Sequence, residues 1–207
     1  GRVMRPLAQR TRVCAYDRAG AGQSDAGPLP RSPRAIGADL WAGLDAQGVT
    51  GKVILVGHSA GGVQVRHAAA QRPERVAGLV LVDPTVPAMG EAMLAPFIAR
   101  ARTCLAALAA PGDPPQGCRV RPPADPLAAW TQRLSELEEL FAEPVPDVAV
   151  PTLVLTAGKP ASPAREALHA AIPGAQQKVV AESGHMMMFD APEAIVAAVE
   201  ALLDPAP

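Results

Sequence analysis

The stretch VILVGHSAGG, residues 53–62, decides how this chain is expected to fold. An apolar run ends in Gly-His-Ser-Ala-Gly, and an alanine-rich helical pattern begins at once. A serine between two glycines at a strand-to-helix junction is typical of a nucleophile held on a tight, strained turn. Side chains at Gly57 and Gly61 are expected to collide with neighbouring backbone there. A purely structural glycine turn is the alternative, but the flanking strand and helix favour a nucleophile at Ser59.

The composition predicts one domain with a core of small aliphatic side chains. The chain has 207 residues, of which 49% are hydrophobic and only 3% aromatic, so Ala, Val and Leu must supply most of the core. The net charge of −1 gives no reason to expect nucleic acid or an acidic membrane surface as a partner. No apolar run approaches the roughly 20 residues of a membrane span. The expected partner is a small-molecule substrate, and the oligomeric state is left open.

The cysteines bear on the compartment, which the sequence leaves open between cytoplasm and export. The chain begins with Gly1 and shows no signal peptide. Cys14 lies in an apolar segment and is expected to be a buried small hydrophobe. Cys104 and Cys118 flank a turn rich in Pro and Gly. They either form a disulfide, which would favour an exported protein, or remain two unpaired cysteines.

Apolar runs alternate with helical patterns, and this alternation predicts a parallel, doubly wound α/β sheet. The predicted strands are 11–16, 52–56, 76–82, 152–156 and 178–180. The predicted helices between them are 33–48, 60–71, 163–172 and 192–203. Histidines and cysteines are scattered without the spacing of metal ligands, so neither a metal nor another cofactor is expected.

Residues 85–147 break this alternation and form a predicted helical insertion in a core of residues 1–84 and 148–207. Pro96 is expected to interrupt its first helix, and a Pro- and Gly-rich loop follows over 111–126. The second helix carries an apolar stripe, with glutamates on the wetter faces. The stripe comprises Leu127, Trp130, Leu134, Leu137 and Phe141, and the glutamates are Glu136, Glu138 and Glu139. Ligands bind at the carboxyl ends of the strands in open α/β folds. We therefore predict a lid whose Trp130, Leu134 and Phe141 line the substrate pocket; a helical excursion without a role in access is the alternative.

Three motifs in this order resemble the α/β-hydrolase superfamily, in its lidded branch of esterases and lipase-like enzymes. They are GHSAG at 57–61, YDRAGAGQSD at 16–25 and SGH at 183–185. The resemblance covers nearly the whole chain. It implies an α/β-hydrolase fold and a serine hydrolase that cleaves an ester or similar acyl bond of a small apolar substrate.

The chain departs from the family pattern at two places. The His-Gly loop that usually supplies a second oxyanion donor has no match before residue 11, and the first strands of the sheet are not found either. The usual position of the acid, the loop 157–162, reads AGKPAS and holds no carboxylate. The alternative to an active enzyme is therefore a non-catalytic, hydrolase-like binding module or an inactive, N-terminally truncated fragment.

The predicted catalytic residues are Ser59, His185 and Asp83. A serine hydroxyl needs a base within hydrogen-bond reach, and His185 lies in a glycine-flanked loop after the last strand. The order along the chain in this fold is nucleophile, acid, histidine. Asp83 ends the strand that follows the nucleophile strand and fits this order, although it is also a turn residue before Pro84. The N–H of Ala60 is the expected oxyanion donor.

The remaining polar residues in these regions are expected to be structural. His58 is expected to face away from the serine and to support packing or a loop. His67 and His169 are expected at surface or boundary positions, and Asp17 and Arg18 are expected to brace their loop as a pair.

Three carboxylates late in the chain are the alternatives to Asp83 as the acid. Glu166 is expected to lie too far into its helix to serve as the acid, and Glu182 to point away from His185. Asp190 is expected to cap the final helix.

Overall fold

The computed structural model describes residues 1–120 and 125–204, without the side chain of Glu91. Residues 121–124 of the predicted loop 111–126 therefore lie outside the described part. The helices are α1 (Met4–Leu7), α2 (Pro33–Ala46), α3 (Ala60–Gln71), α4 (Ala95–Ala109), α5 (Pro126–Glu138), α6 (Pro163–Ala170), α7 (Met187–Asp190) and α8 (Pro192–Leu203). The strands are β1 (Val53–His58), β2 (Val76–Val82), β3 (Thr152–Ala157) and β4 (Ala175–Val180).

The four described strands form one parallel sheet in the order β1-β2-β3-β4. Strand β2 is buried on both faces, with Val80 and Leu81 at 0% exposure, as its uninterrupted apolar sequence predicts. This parallel sheet flanked by helices confirms the predicted fold class. None of the described helices is both long and apolar enough to cross a membrane.

The chain divides into two compact units, each described by itself. The sheet unit comprises 1–14, 37–88 and the chain from 145 onward, and the helical unit comprises 15–36 and 89–144. The core of the sheet unit is a cluster of aliphatic side chains and one methionine. It consists of Leu7, Val80, Val82, Leu155, Ala157, Met187, Ala191, Ile195, Ala198 and Val199.

Within the helical unit, Cys104 of α4 and Cys118 form a disulfide. The indole Nε1–H of Trp130 donates to the carbonyl of Cys118 at 2.7 Å, and the Arg100 guanidinium lies 6.0 Å from the centre of the Trp130 ring. The disulfide thus joins α4 to the segment that follows it, the cation–π contact joins α4 to α5, and the hydrogen bond joins α5 to that segment.

Two further polar contacts in the helical unit differ from the sequence prediction. Arg18 does not pair with Asp17 but forms a bidentate ion pair with Glu136, at 3.0 Å for each bond. Glu136, predicted on a wetter face, is buried, because it is the partner of this guanidinium. Asp17 braces its own loop by accepting the N–H of Gln23 at 3.0 Å.

The predicted strand 11–16 is wrong. This segment has no ladder partner among the described residues, and a strand exists only where its backbone groups are paired. Cys14, predicted to be buried, is exposed for the same reason.

The structure bears on two details of the predicted insertion. A 3₁₀ turn at Glu91–Met93 precedes α4, so the helical segment is broken just before Pro96; the proline lies in the first turn of α4, where no N–H is needed. Helix α5 ends at Glu138, so Phe141 lies in the turn beyond it.

Candidate active site

Ser59 lies between the end of β1 and the start of α3, with φ 55° and ψ −126°. A non-glycine residue rarely adopts a positive φ, and holding one there costs of order 1–3 kcal/mol. The turn is tied to the neighbouring strand, because the N–H of Ser59 donates to the carbonyl of Val82 at 3.0 Å. The strain therefore lies at the residue whose hydroxyl the turn presents.

Glycine is required beside Ser59, but not at both predicted positions. A Cβ on Gly57 would lie 2.4 Å from the carbonyl oxygen of Gly61. A Cβ on Gly61 meets nothing within 4 Å, so the predicted collision there is wrong. The second close approach is at Gly62, whose Cβ would lie 2.7 Å from Pro84. Strand β2 ends against this part of α3, which is why Gly62 and not Gly61 is crowded.

Asp83 follows β2 and has φ 40°. In residues 1–120 and 125–204, Ser59 and Asp83 are the non-glycine residues with positive φ. The N–H of Asp83 donates to the carbonyl of Leu155 at 2.7 Å, and the residue is only 4% exposed. Strain at two buried or half-buried polar residues of neighbouring strand ends is a signature of functional sites.

The Asp83 carboxylate is fully engaged. Its Oδ2 accepts the Nδ1–H of His185 at 2.7 Å, and its Oδ1 accepts the N–H of Ala157 at 3.0 Å. The Nε of Arg165 lies 3.5 Å from the same Oδ1. Burial by itself would raise the pKa of Asp83, but the His185 and Ala157 hydrogen bonds and the Arg165 charge outweigh it and lower the pKa. Asp83 is therefore an anion at neutral pH.

His185 lies in the loop between β4 and α7, with half of its side chain exposed. Because a carboxylate only accepts, the proton of the neutral ring must be on Nδ1, and Nε2 carries the lone pair. Asp190, predicted to cap α8, instead accepts the N–H of Gly184 at 2.9 Å. The side chain closes the His185 loop, and α8 begins without a side-chain cap.

The hydroxyl of Ser59 lies 3.4 Å from the hydroxyl of Thr85, whose N–H donates to the Ser59 carbonyl at 3.1 Å. Across the described chain no hydrogen bond joins Ser59 Oγ to His185 Nε2. Such bonds are often long without substrate and tighten in the Michaelis complex. The N–H of Ala60, at the start of α3, has no acceptor among the described residues and is available to an anion.

Behind Asp83, His169 is completely buried, not at the surface as predicted. Its Nε2–H donates to the carbonyl of Pro84 at 2.8 Å, so its Nδ1 accepts the hydroxyl of Thr156 at 2.9 Å. Gln177 donates to the same hydroxyl at 2.8 Å. Burial is the main reason that the pKa of His169 is lowered. A neutral His169 thus connects the ends of β2 and β3 just behind Asp83.

The other residues considered from the sequence lie elsewhere. Glu182 is exposed and pairs with Lys159 at 2.6 Å, and Glu166 makes no described contact with His185. His67 is buried on α3, not at a surface or boundary position. Trp130, Leu134 and Phe141 are half-buried in the helical unit, and their part in a substrate pocket stays a prediction.

Sequence reasoning missed Thr85, Arg165 and His169. Thr85 has a weak signal, since it lies two residues after Asp83 at a strand end. Arg165 and His169 have none. A polar residue in a short helix is predicted to lie at the surface, and only the packing of the helix on the sheet shows that one of its faces is buried.

Comparisons with known proteins agree with this architecture. Residues 1–198 match the Alpha/beta hydrolase family. The chain is 30% identical over 217 residues to RutD of Klebsiella pneumoniae (strain 342), a proposed carbamate hydrolase, covering 86% of this chain and 78% of RutD.

Solved structures give the same result. The structure of E-2-(acetamidomethylene)succinate hydrolase matches with a TM-score of 0.72 and 26% identity, covering 98% of this chain and 87% of that one. A thermophilic esterase from Thermogutta terrifontis matches with a TM-score of 0.61 and 25% identity over 90% of this chain and 77% of the esterase. The chain therefore belongs to the alpha/beta hydrolase family and is a hydrolase of that type.

Proposed function

We propose that this chain is a serine hydrolase with Ser59 as nucleophile, His185 as general base and Asp83 as the acid that orients it. The observation that carries the proposal is the pairing of a buried Asp83 carboxylate with His185 Nδ1 at 2.7 Å, beside a serine on a strained turn. A carboxylate in this place fixes the tautomer that leaves Nε2 free to accept a proton and stabilises the imidazolium that results.

The reaction then proceeds by acyl transfer. Ser59 Oγ attacks the substrate carbonyl while His185 Nε2 takes its proton, and the carbonyl oxygen becomes an oxyanion. The N–H of Ala60 donates to that oxyanion. His185 returns the proton to the leaving group, and water activated by the same nitrogen hydrolyses the acyl-enzyme. Loss of one oxyanion donor costs about 10²–10³-fold in rate, so a site relying on Ala60 alone would be slow.

The proposed substrate is a small apolar ester or a similar acyl compound. The relatives support the bond type, since one is a proposed carbamate hydrolase and another an esterase. The apolar preference is inferred from Trp130, Leu134 and Phe141 as lid residues. If they line the pocket, Trp130→Ala changes the preference for acyl chain length among p-nitrophenyl esters. If Trp130 only packs within the helical unit, Trp130→Ala lowers the free energy of unfolding and leaves the preference for acyl chain length unchanged.

The direct test combines a fluorophosphonate probe with hydrolysis of p-nitrophenyl acetate and butyrate. The wild-type chain should be labelled and should turn over at least one ester, and Ser59→Ala should lose both properties. Ser24→Ala is the matched control, because Ser24 bonds only within its own loop. Turnover by Ser59→Ala at the wild-type rate would remove Ser59 from the mechanism. A folded wild-type chain that neither labels nor turns over would favour the non-catalytic binding module.

A further inference from the structure

His58, the residue before the nucleophile, contacts the base directly. Its Nε2 lies 2.8 Å from the main-chain carbonyl oxygen of His185, and the centres of the two imidazole rings are 4.5 Å apart at an angle of 42°. A carbonyl oxygen only accepts, so the His58 proton is on Nε2. The His58 side chain therefore joins the end of β1 to the loop after β4.

From this contact we propose that His58 is a positioning residue for the base, a role that rests on the proposed function. His58 is covalently joined to Ser59, and its ring holds the backbone of His185. The hydrogen bond thus fixes the separation of nucleophile and base through a single side chain.

The other contacts of the His185 loop do not hold the His185 carbonyl. Asp83 binds the ring at Nδ1, Asp190 binds the N–H of Gly184, and the N–H of Lys159 binds the carbonyl of Ser183 at 2.8 Å. In the proposed role, the His58 hydrogen bond is what keeps the main chain of His185 from shifting and carrying Nε2 away from Ser59. Misplacement of a reacting group by about 1 Å can cost on the order of 100-fold in rate.

The His58 ring must stay neutral when His185 becomes an imidazolium, because two cations at 4.5 Å repel each other. Burial is the main cause that lowers the pKa of His58, and the nearby His185 lowers it further, although the His185 carbonyl and Asp83 act in the opposite direction. A neutral N–H donor at this position is what the proposed role requires.

The test compares His58→Gln with His58→Asn, two neutral amides that differ by one methylene. A Gln amide N–H reaches about as far as His Nε2, whereas an Asn amide reaches only about as far as Nδ1. We expect His58→Gln to keep kcat within about 3-fold of wild type. We expect His58→Asn to lower kcat at least about 10-fold, with KM and the folded far-UV spectrum unchanged. Val56→Ala, an exposed position on the same strand, serves as the control and should leave kcat unchanged.

Equal kcat values for the Gln and Asn variants, whether both like wild type or both reduced, would overturn the proposal. So would a loss expressed in KM alone. If His58→Asn does not fold, the test is the kcat of His58→Gln compared with that of Val56→Ala. A kcat of His58→Gln reduced more than about 10-fold would overturn the proposal, because a donor at the place of Nε2 would then not restore function. Ser59→Ala in the same assay distinguishes failure of the His58 proposal from failure of the proposed function. Full activity of Ser59→Ala would contradict the proposed function itself.

Discussion

His185 Nδ1 and Asp83 Oδ2, 102 residues apart in the chain, are separated by 2.7 Å. The parallel sheet makes this contact possible, because β2 and β4 both end at the edge where β1 delivers Ser59. Asp83 also receives the N–H of Ala157 from the intervening strand β3. The Asp83 carboxylate is therefore held by the backbone of a neighbouring strand as well as by the histidine.

Asp83→Asn should lower kcat/KM by at least about 100-fold. The Asn oxygen can still accept the Ala157 N–H, but its amide then faces His185 Nδ1 as a donor and selects the wrong tautomer. In a serine protease the same kind of change lowers kcat about 10⁴-fold. Hydrolysis of p-nitrophenyl esters at neutral pH measures the effect.

Matched controls for this substitution are Glu182→Gln and Glu166→Gln, neither of which contacts His185. Each should change the rate less than about 3-fold, since exposed ion pairs such as that of Glu182 with Lys159 contribute little. A rate for either variant as low as that of Asp83→Asn would show that the acid is misassigned.

Thr85→Val should lower kcat/KM about 2- to 10-fold. The Thr85 hydroxyl lies 3.4 Å from Ser59 Oγ and is buried, and one hydrogen bond is worth about 0.5–1.5 kcal/mol. Valine has nearly the same shape, so the fold should be retained. Thr85→Ser keeps the hydroxyl and should recover most of the rate; a Ser variant as slow as the Val variant would indicate a packing effect.

His169→Gln should make stability less sensitive to acid. Burial lowers the pKa of His169 below its ordinary value of about 6.5. As the pH falls below 6.5, the unfolded chain takes up a proton that the folded chain resists, so this contribution to stability is lost toward the folded-state pKa. Urea denaturation between pH 7.5 and 5 measures it. The gap between wild type and variant should narrow on acidification, and parallel profiles would contradict the prediction.

Replacing Cys104 and Cys118 together by serine should destabilise the helical unit by about 3 kcal/mol, the value expected for a loop of about 15 residues. The two cysteines are 14 residues apart. Urea denaturation under non-reducing conditions gives the difference. Cys14→Ser, at an exposed free thiol, should leave the midpoint unchanged. Equal midpoints for the double variant and wild type would show that the disulfide does not form in solution.

Local sequence patterns predicted most of the sheet unit. The predicted bounds of α3, β2 and α8 agree with the structure. Apolar runs and helical periodicity are local signals, and Pro73 and Pro192 mark where a helix ends or begins. The segment 11–16 has an equally strand-like sequence but forms no strand. Its state depends on whether a partner strand is beside it, and a local pattern carries no information about that.

The sequence alone determined the parallel α/β class and the tight turn at Ser59, and it predicted Ser59, Asp83 and His185 as the catalytic residues. These depend on local chemistry and on the order of elements along the chain. Only the tertiary structure decided that His58 binds the His185 carbonyl, that Asp190 closes that loop and that His169 lies behind Asp83. The His58 and His169 hydrogen bonds join elements that are distant in sequence, and the Asp190 bond closes a loop whose conformation local patterns do not encode. The geometry of each exists only in the folded chain.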